Sequence, residues 1–142
     1  MKKYAALLTI FLIASCAPKV VKSTGPKPLY EVLTVQGHGG ANIRFYEILS
    51  EPAEIKMLLA DENLKDKINS DDTATANFII LSMGEMPTSG YAIDIASVEE
   101  LTDKIVVTIK DVNPEPGAMT ASVITHPYTV VKINSKKPIE IK

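Results

Sequence analysis

The second half of the chain is a series of short strand-type segments separated by loops rich in Gly and Pro, and this pattern most limits the possible folds. The run "NFIILSM" (77–83) is continuously apolar and short, which favours a buried strand over a helix. "YAIDIASV" (91–98) and "KIVVTIKDV" (104–112) alternate apolar and polar residues, as half-buried strands do. The three segments together predict an antiparallel, β-rich domain.

Three further segments have strand composition. "YEVLTVQG" (30–37) and "HGGANIRFYEIL" (38–49) predict two strands that form a hairpin through the intervening glycines. The last segment, "MTASVITHPYTVVKI" (119–133), is interrupted by Pro127. Because proline cannot donate to a β-ladder, Pro127 indicates an edge, a bulge or a crossing between two sheets.

One segment has helical periodicity. Its apolar residues recur at helical spacing, namely Ile55, Leu58, Leu59, Leu64 and Ile68. Ser50 is a suitable N-cap, and Pro52 is tolerated in a first turn. The pattern predicts one amphipathic helix over 51–67. The following "NSDDTATA" (69–76) predicts a solvated loop, since Asp71 and Asp72 lack the spacing of a calcium loop.

The first residues predict an exported lipoprotein. Two lysines precede a short apolar run, and small residues then lead to Cys16, the only cysteine of the chain. The segment resembles a bacterial lipobox, which implies that residues 1–15 are a signal peptide and that Cys16 carries the lipid. Acyl chains buried in a bilayer then provide the anchor. Residues 16–28, rich in Pro and Lys, predict a flexible tether.

The remaining residues, 29–142, suffice for one domain. The predicted fold is mainly β (α+β), an antiparallel β-sandwich-like domain with one amphipathic helix. Residue 17 is Ala rather than Asp, which by resemblance to sorted lipoproteins favours the outer membrane of a bacterial cell envelope. A net charge of −2 without a basic cluster argues against a nucleic-acid partner.

Side chains suited to catalysis or metal binding are scattered. His38 and His126 lie in different turns, without cysteines or a second histidine at a ligand spacing. The "GHGG" segment (37–40) lacks the strand-to-helix context of a phosphate-binding loop. We therefore expect neither an enzyme nor a cofactor.

The loop "MPTSG" (86–90) is the first candidate binding segment. Pro87 fixes one backbone angle, Thr88 and Ser89 offer hydrogen-bonding groups, and Gly90 permits a close approach just before Tyr91. A rigid loop loses little entropy when a partner binds, and tyrosine is a common interface anchor. The alternative is a simple turn in which Tyr91 fills the core of its strand.

The region from Gly84 to Ile133 resembles the C-terminal domain of the PrcB family. The resemblance depends on Gly84, on "PTSGY" (87–91) and on "THPY" (125–128), in this order along the chain. It implies a surface lipoprotein that binds and stabilises an exported subtilisin-like protease. The candidate partner-binding residues are Pro87, Thr88, Ser89, Gly90, Tyr91, His126, Pro127 and Tyr128.

A second resemblance supplies an alternative function. "MPTSGY" is similar to a loop of chagasin-type inhibitors of cysteine proteases, "HPY" (126–128) loosely resembles a second of their loops, and "GHGG" a third. In those inhibitors the Gly-rich loop lies between the other two, whereas here it precedes both. Protease binding is therefore the first hypothesis. Direct inhibition, or a purely structural role in the envelope, is the alternative.

Overall fold

The computed structural model describes residues 27–142. The predicted signal peptide, Cys16 and most of the tether lie outside the described residues. Within this range, no helix is long and apolar enough to cross a membrane. The elements are β1 (Tyr30–Gln36), β2 (Phe45–Leu49), α1 (Pro52–Leu58), α2 (Asp72–Thr75), β3 (Asn77–Ser82), β4 (Ala92–Glu100), β5 (Ile105–Val112), β6 (Tyr128–Ile133) and β7 (Ile139–Ile141).

The strands form two sheets, which confirms the mainly β, sandwich-like fold. One sheet has the order β1-β6-β3-β2 and the other the order β4-β5-β7. All strand pairs are antiparallel except β5 and β7, which are parallel. The sequence did not predict β7, because three residues are too few to show a period.

The predicted hairpin between the first two strands is wrong. β1 and β2 lie at opposite edges of the four-stranded sheet, because β6 pairs with β1 on one side and with β3 on the other. The part of β6 from Thr129 to Ile133 is entirely buried. A strand apolar on both faces is more stable in the centre of a sheet than at its edge.

Two separate cores pack against the two faces of the four-stranded sheet. The inter-sheet core lies between the sheets and consists of Ile79, Leu81, Met83, Ile93, Ile95, Ile105, Val107, Val131 and Ile133. The outer core lies between the sheet and the helical segments and consists of Leu33, Leu49, Ile55, Leu58, Leu64, Ile68, Ala76, Phe78 and Val130. Neighbouring residues of β3 alternate between them, as the pleat of a strand requires.

The predicted helix over 51–67 is too long. α1 begins after Glu51, not Ser50, because Glu51 and Glu54 form a capping box, and it ends at Leu58. The next three N–H groups, from Leu59 to Asp61, each donate to the carbonyl three residues before. These tighter turns end the regular helix. Leu64 and Ile68 are nevertheless buried in the outer core, as their spacing predicted.

The prediction that Asp72 lies in a solvated loop is also wrong. Asp72 begins α2 and is 2% exposed, and its Oδ2 accepts a hydrogen bond from the Lys132 ammonium group at 3.1 Å. Burial opposes its charged form, but the Asn69 N–H group and Lys132 hold the pKa of Asp72 below its ordinary value. A buried ion pair therefore joins α2 to β6.

The last predicted strand is shorter than its sequence suggested. Residues 119–124 are irregular, and only Thr125 forms an isolated bridge with Met86 before β6 begins at Tyr128. Pro127 immediately precedes this central strand, and its carbonyl accepts a hydrogen bond from the Met83 N–H group. Proline at this position costs the ladder no donor within β6.

Candidate functional site: a surface of four loops

The two loops that the sequence singled out lie side by side at one end of the sandwich. Met86 and Thr125 exchange two backbone hydrogen bonds, of 2.8 and 2.9 Å. The Thr125 hydroxyl group also donates to the Thr88 carbonyl at 2.8 Å. "MPTSG" and "THPY" therefore form one rigid unit.

The glycine-rich segment of 37–40 joins this unit. The Gly40 N–H group donates to the His126 carbonyl at 2.9 Å, and the His126 N–H group donates to the Gly37 carbonyl at 3.2 Å. A Cβ atom at Gly40 would lie 2.7 Å from the His126 carbonyl oxygen. Only glycine allows so close an approach of two backbones.

The first part of the β5–β6 connection, residues 113–124, is the fourth loop segment of this surface, and it leads directly into "THPY". The Ser89 N–H group donates to the Ala121 carbonyl at 3.1 Å, and the Ala121 N–H group donates to the Ser89 hydroxyl oxygen at 2.8 Å. Gly90 has a φ of +93°, and a Cβ atom there would lie 3.0 Å from Cγ of Pro114. Both the backbone conformation and the available space therefore require glycine at position 90.

The predicted site residues of "MPTSG" differ in exposure. Pro87 and Gly90 are exposed. Thr88 and Ser89 are half-buried. The Thr88 hydroxyl group donates to the Ser89 carbonyl of the same loop, whereas the Thr88 carbonyl and the Ser89 hydroxyl oxygen accept hydrogen bonds from neighbouring loops. Tyr91 packs against the inter-sheet core. Pro87 and the backbone around Gly90 are thus the parts of this loop that a partner could contact.

The predicted residues of "THPY" are less accessible. Pro127 is buried, and Tyr128 packs against the outer core. Burial first, and then the charge of Asp61, raises the pKa of Tyr128, so its hydroxyl group stays protonated at neutral pH. His126 is half-buried, with Nε2 at 3.8 Å from the Glu85 carboxylate and without a hydrogen-bond partner among the described residues. His126 therefore has an unused polar atom beside an exposed carboxylate.

The sequence did not reveal the most exposed apolar side chains of this end. Met119 is fully exposed, Ile124 is 57% exposed and Val123 is 47% exposed. The composition of 119–133 predicts a strand, in which such residues would be buried. One feature of the sequence indicates an exposed loop instead: "MTASVI" lacks strict alternation and directly follows a Pro- and Gly-rich turn.

The geometry of the four loops suits a protein contact. Backbone hydrogen bonds fix their relative positions, so little entropy is lost on binding. Apolar side chains at the surface supply the area that an interface buries. Among residues 27–142 no group of three or more His, Cys, Asp or Glu side chains could hold a metal ion. The surface thus offers shape and apolar area to a partner.

Comparison with known proteins gives two matches. Residues 77–134 match the model of a family described as PrcB C-terminal. An uncharacterized protein of Methanocaldococcus jannaschii is 38% identical over 64 residues, which are 45% of this chain. The alignment covers only 38% of that relative's length. No solved structure matches the chain significantly.

The matched region coincides with the structural unit just described. It begins with the first residue of β3 and ends one residue after β6, so it contains both "MPTSG" and "THPY" as well as the β5–β6 connection. The resemblance stated from the sequence is thereby confirmed for this segment. Residues 77–134, less than half of the chain, are similar to the PrcB C-terminal family.

Proposed function

We propose that the protein is a lipid-anchored, non-catalytic module that binds an exported subtilisin-like protease and stabilises it at the cell surface. The match of residues 77–134 to the PrcB C-terminal family supports an association with a protease complex. That this partner is an exported protease of the subtilisin class is implied by the resemblance of the loops to that family.

The observation that carries the proposal is that hydrogen bonds join the four loops into one surface. Met86–Thr125 and Ser89–Ala121 hydrogen bonds hold the exposed Pro87 beside the connection that exposes Met119, Val123 and Ile124. A rigid, partly apolar surface can bind a folded partner without a prior ordering step. In this proposal Pro87, Met119 and Ile124 contact the protease, whereas Pro127 and the glycines maintain the surface.

Attachment to the membrane is a separate part of the proposal. The lipid on Cys16 holds the module at the cell envelope, in the outer membrane where the cell has one. Replacement by Cys16→Ser should move the protein from the membrane fraction to the soluble fraction without changing its fold. Retention of the Cys16→Ser protein in membranes would show that another segment anchors it.

The test of protease binding uses the full chain in its own cells. Deletion should shorten the lifetime of an exported subtilisin-like protease, and the wild-type chain should restore it and co-purify with the protease. The double variant Met119→Ser/Ile124→Ser should fail to restore the lifetime, because it removes apolar area only from the proposed interface.

Leu101→Ser is the matched control for this experiment. Leu101 is 41% exposed, but it lies in the β4–β5 turn at the opposite end of the three-stranded sheet. This variant should restore the protease lifetime fully. The proposal fails if deletion leaves the lifetime of every exported protease unchanged, or if both variants behave alike.

Direct inhibition of a cysteine protease is the second candidate function. The specific observation in its favour is that "GHGG", "MPTSG" and "THPY" lie at the same end of the sandwich, as the three loops of a chagasin-type inhibitor would. This function predicts competitive inhibition of a papain-like enzyme that is lost with Pro87→Ala. A structural envelope protein would give no inhibition and no effect on protease lifetime.

A further inference from the structure

A groove lies on the outer face of the four-stranded sheet. One end of it adjoins Gly39, Gly40 and Tyr128 of the four-loop surface, but Pro87, Met119 and Ile124 do not line it. Two adjoining cavities of about 190 and 280 Å³ share Leu58, Asp61 and Ile80 as lining residues. We call this feature the β2 groove, because Phe45, Glu47 and Leu49 of β2 line it. It exists because α1 ends at Leu58 and leaves the β2 side of the sheet uncovered.

The β2 groove combines an apolar floor with an acidic rim. Leu49, Leu58 and Ile80 form the floor, and Met57, 75% exposed, lies at the entrance. Three carboxylates line the groove, those of Glu47, Glu54 and Asp61. Within the described part of the chain none of the three has a cationic group within 4 Å, although seven pairs between Lys or Arg and a carboxylate occur elsewhere. Glu54 accepts the backbone N–H groups of Ser50 and Glu51 instead.

The backbone of β2 adds a second binding element. β2 pairs only with β3, so the other side of its ladder is open among residues 27–142. Exposed edges are usually protected by bulges, by Lys or Pro residues, or by shortness. β1 and β4 each contain a register shift, and β7 has three residues. β2 has five residues in unbroken register, without Lys or Pro.

We propose that β2 binds an extended peptide segment of a partner protein as an additional strand. The segment pairs with the open edge of β2 by backbone hydrogen bonds. On its groove side it carries an apolar residue, which contacts Leu58 and Ile80, and a Lys or Arg residue two positions away, which faces Glu47. The charge of the rim selects a basic segment over an acidic one.

The binding test uses two synthetic peptides, TKTVTKT and TETVTET, with the purified full chain in detergent. Amide resonances of β2 should shift on addition of TKTVTKT, and the affinity should fall as salt is raised. TETVTET should cause no shifts. Equal binding of the two peptides, or no binding of TKTVTKT, would overturn the proposal.

Charge variants assign the binding to the groove. Glu47→Lys should weaken binding of TKTVTKT by about tenfold or more, and Glu47→Gln should weaken it less. The matched control is Glu99→Lys, at an exposed position of the edge strand β4, and it should leave binding unchanged. An unchanged affinity with both Glu47 variants, or equal losses with Glu47→Lys and Glu99→Lys, would place the peptide elsewhere.

A photo-cross-linking experiment distinguishes the proposed occupant from other parts of this protein. The photoreactive residue is introduced as Met57→p-benzoylphenylalanine at the entrance of the groove. Irradiation should link the full chain to TKTVTKT and, without peptide, should yield no link within the chain or between copies. A link to residues 17–26 or to a second copy would show that this protein fills its own groove, and would overturn the proposal.

Discussion

The two faces of the four-stranded sheet are closed in different ways. The inner face meets a second sheet through an apolar core, together with a buried hydrogen bond from the Thr129 hydroxyl group to the Ile93 carbonyl. The outer face meets one short helix, a series of turns and α2, and there a buried ion pair and an open groove accompany the apolar contacts. We therefore expect substitutions on the inner face to cost more stability than those beside the groove of the outer face.

Neighbouring isoleucines of β3 test this difference most directly. Ile79 is fully buried in the inter-sheet core, whereas Ile80 is partly buried at the β2 groove. Ile79→Ala should lower the free energy of unfolding by about 4 kcal/mol, and Ile80→Ala by about 1 to 2 kcal/mol. Urea unfolding followed by circular dichroism measures both. Equal losses would contradict the distinction between the faces.

The buried ion pair should have the next largest effect. Asp72→Ala removes the buried partner of the Lys132 ammonium group and leaves it only the exposed Glu31 carboxylate at 3.9 Å, so it should cost about 3 kcal/mol of stability. The double variant Asp72→Ala/Lys132→Met should recover most of that loss, because no charge then remains buried. A double variant as unstable as Asp72→Ala would mean that the loss comes from the end of α2 rather than from the charge.

The same ion pair should also make the free energy of unfolding depend on pH, and this effect should be smaller than the loss in Asp72→Ala. The folded state lowers the pKa of Asp72, so the carboxylate favours folding above the unfolded pKa of about 3.9. This contribution is lost as the pH falls through the lower, folded pKa. In Asp72→Asn the loss of stability with acid should therefore be shallower than in the wild type. Parallel pH profiles of the two proteins would contradict the assignment.

A surface ion pair between the sheets should have the smallest effect. Arg44 and Asp111 form two parallel hydrogen bonds of 2.8 Å, but both side chains are more than a third exposed. Arg44→Gln should cost less than about 1 kcal/mol, because water screens an exposed pair. Thermal unfolding at low and high salt measures this loss of stability. Asp111→Asn, which removes the other charge of the pair, serves as the comparison. A loss near that of Asp72→Ala would show that the inner face depends on charge as well.

Strand periodicity predicted the inner face well, because that face depends on local alternation. Ile93, Ile95, Ile105 and Val107 are buried as the pattern required, and "NFIILSM" gives β3, which is buried except for the partly buried Ile80. The sheet order was not predictable in this way. Which strand lies beside β1 depends on contacts with β6, almost a hundred residues later in the chain.

The outer face was predicted less well, because its structure depends on contacts between residues that are far apart in the sequence. Leu64 and Ile68 have helical spacing and are buried, yet tertiary contacts placed them on turns rather than on a continued helix. Asp72 has the composition of a loop residue, and only Lys132 on a distant strand explains its burial. Of the candidate site, the loops were identified from the sequence, but Met119, Val123 and Ile124 emerged only from the structure.

The position of β6 has a consequence for how the chain folds. β6 lies between β1 and β3 but follows β1 by almost a hundred residues, so β1 cannot join the sheet until residue 133 is available. Pairings this distant in sequence form slowly. A newly made chain therefore cannot complete this sheet until β6 has emerged. Such delayed closure is compatible with a protein that is exported first and folds afterwards.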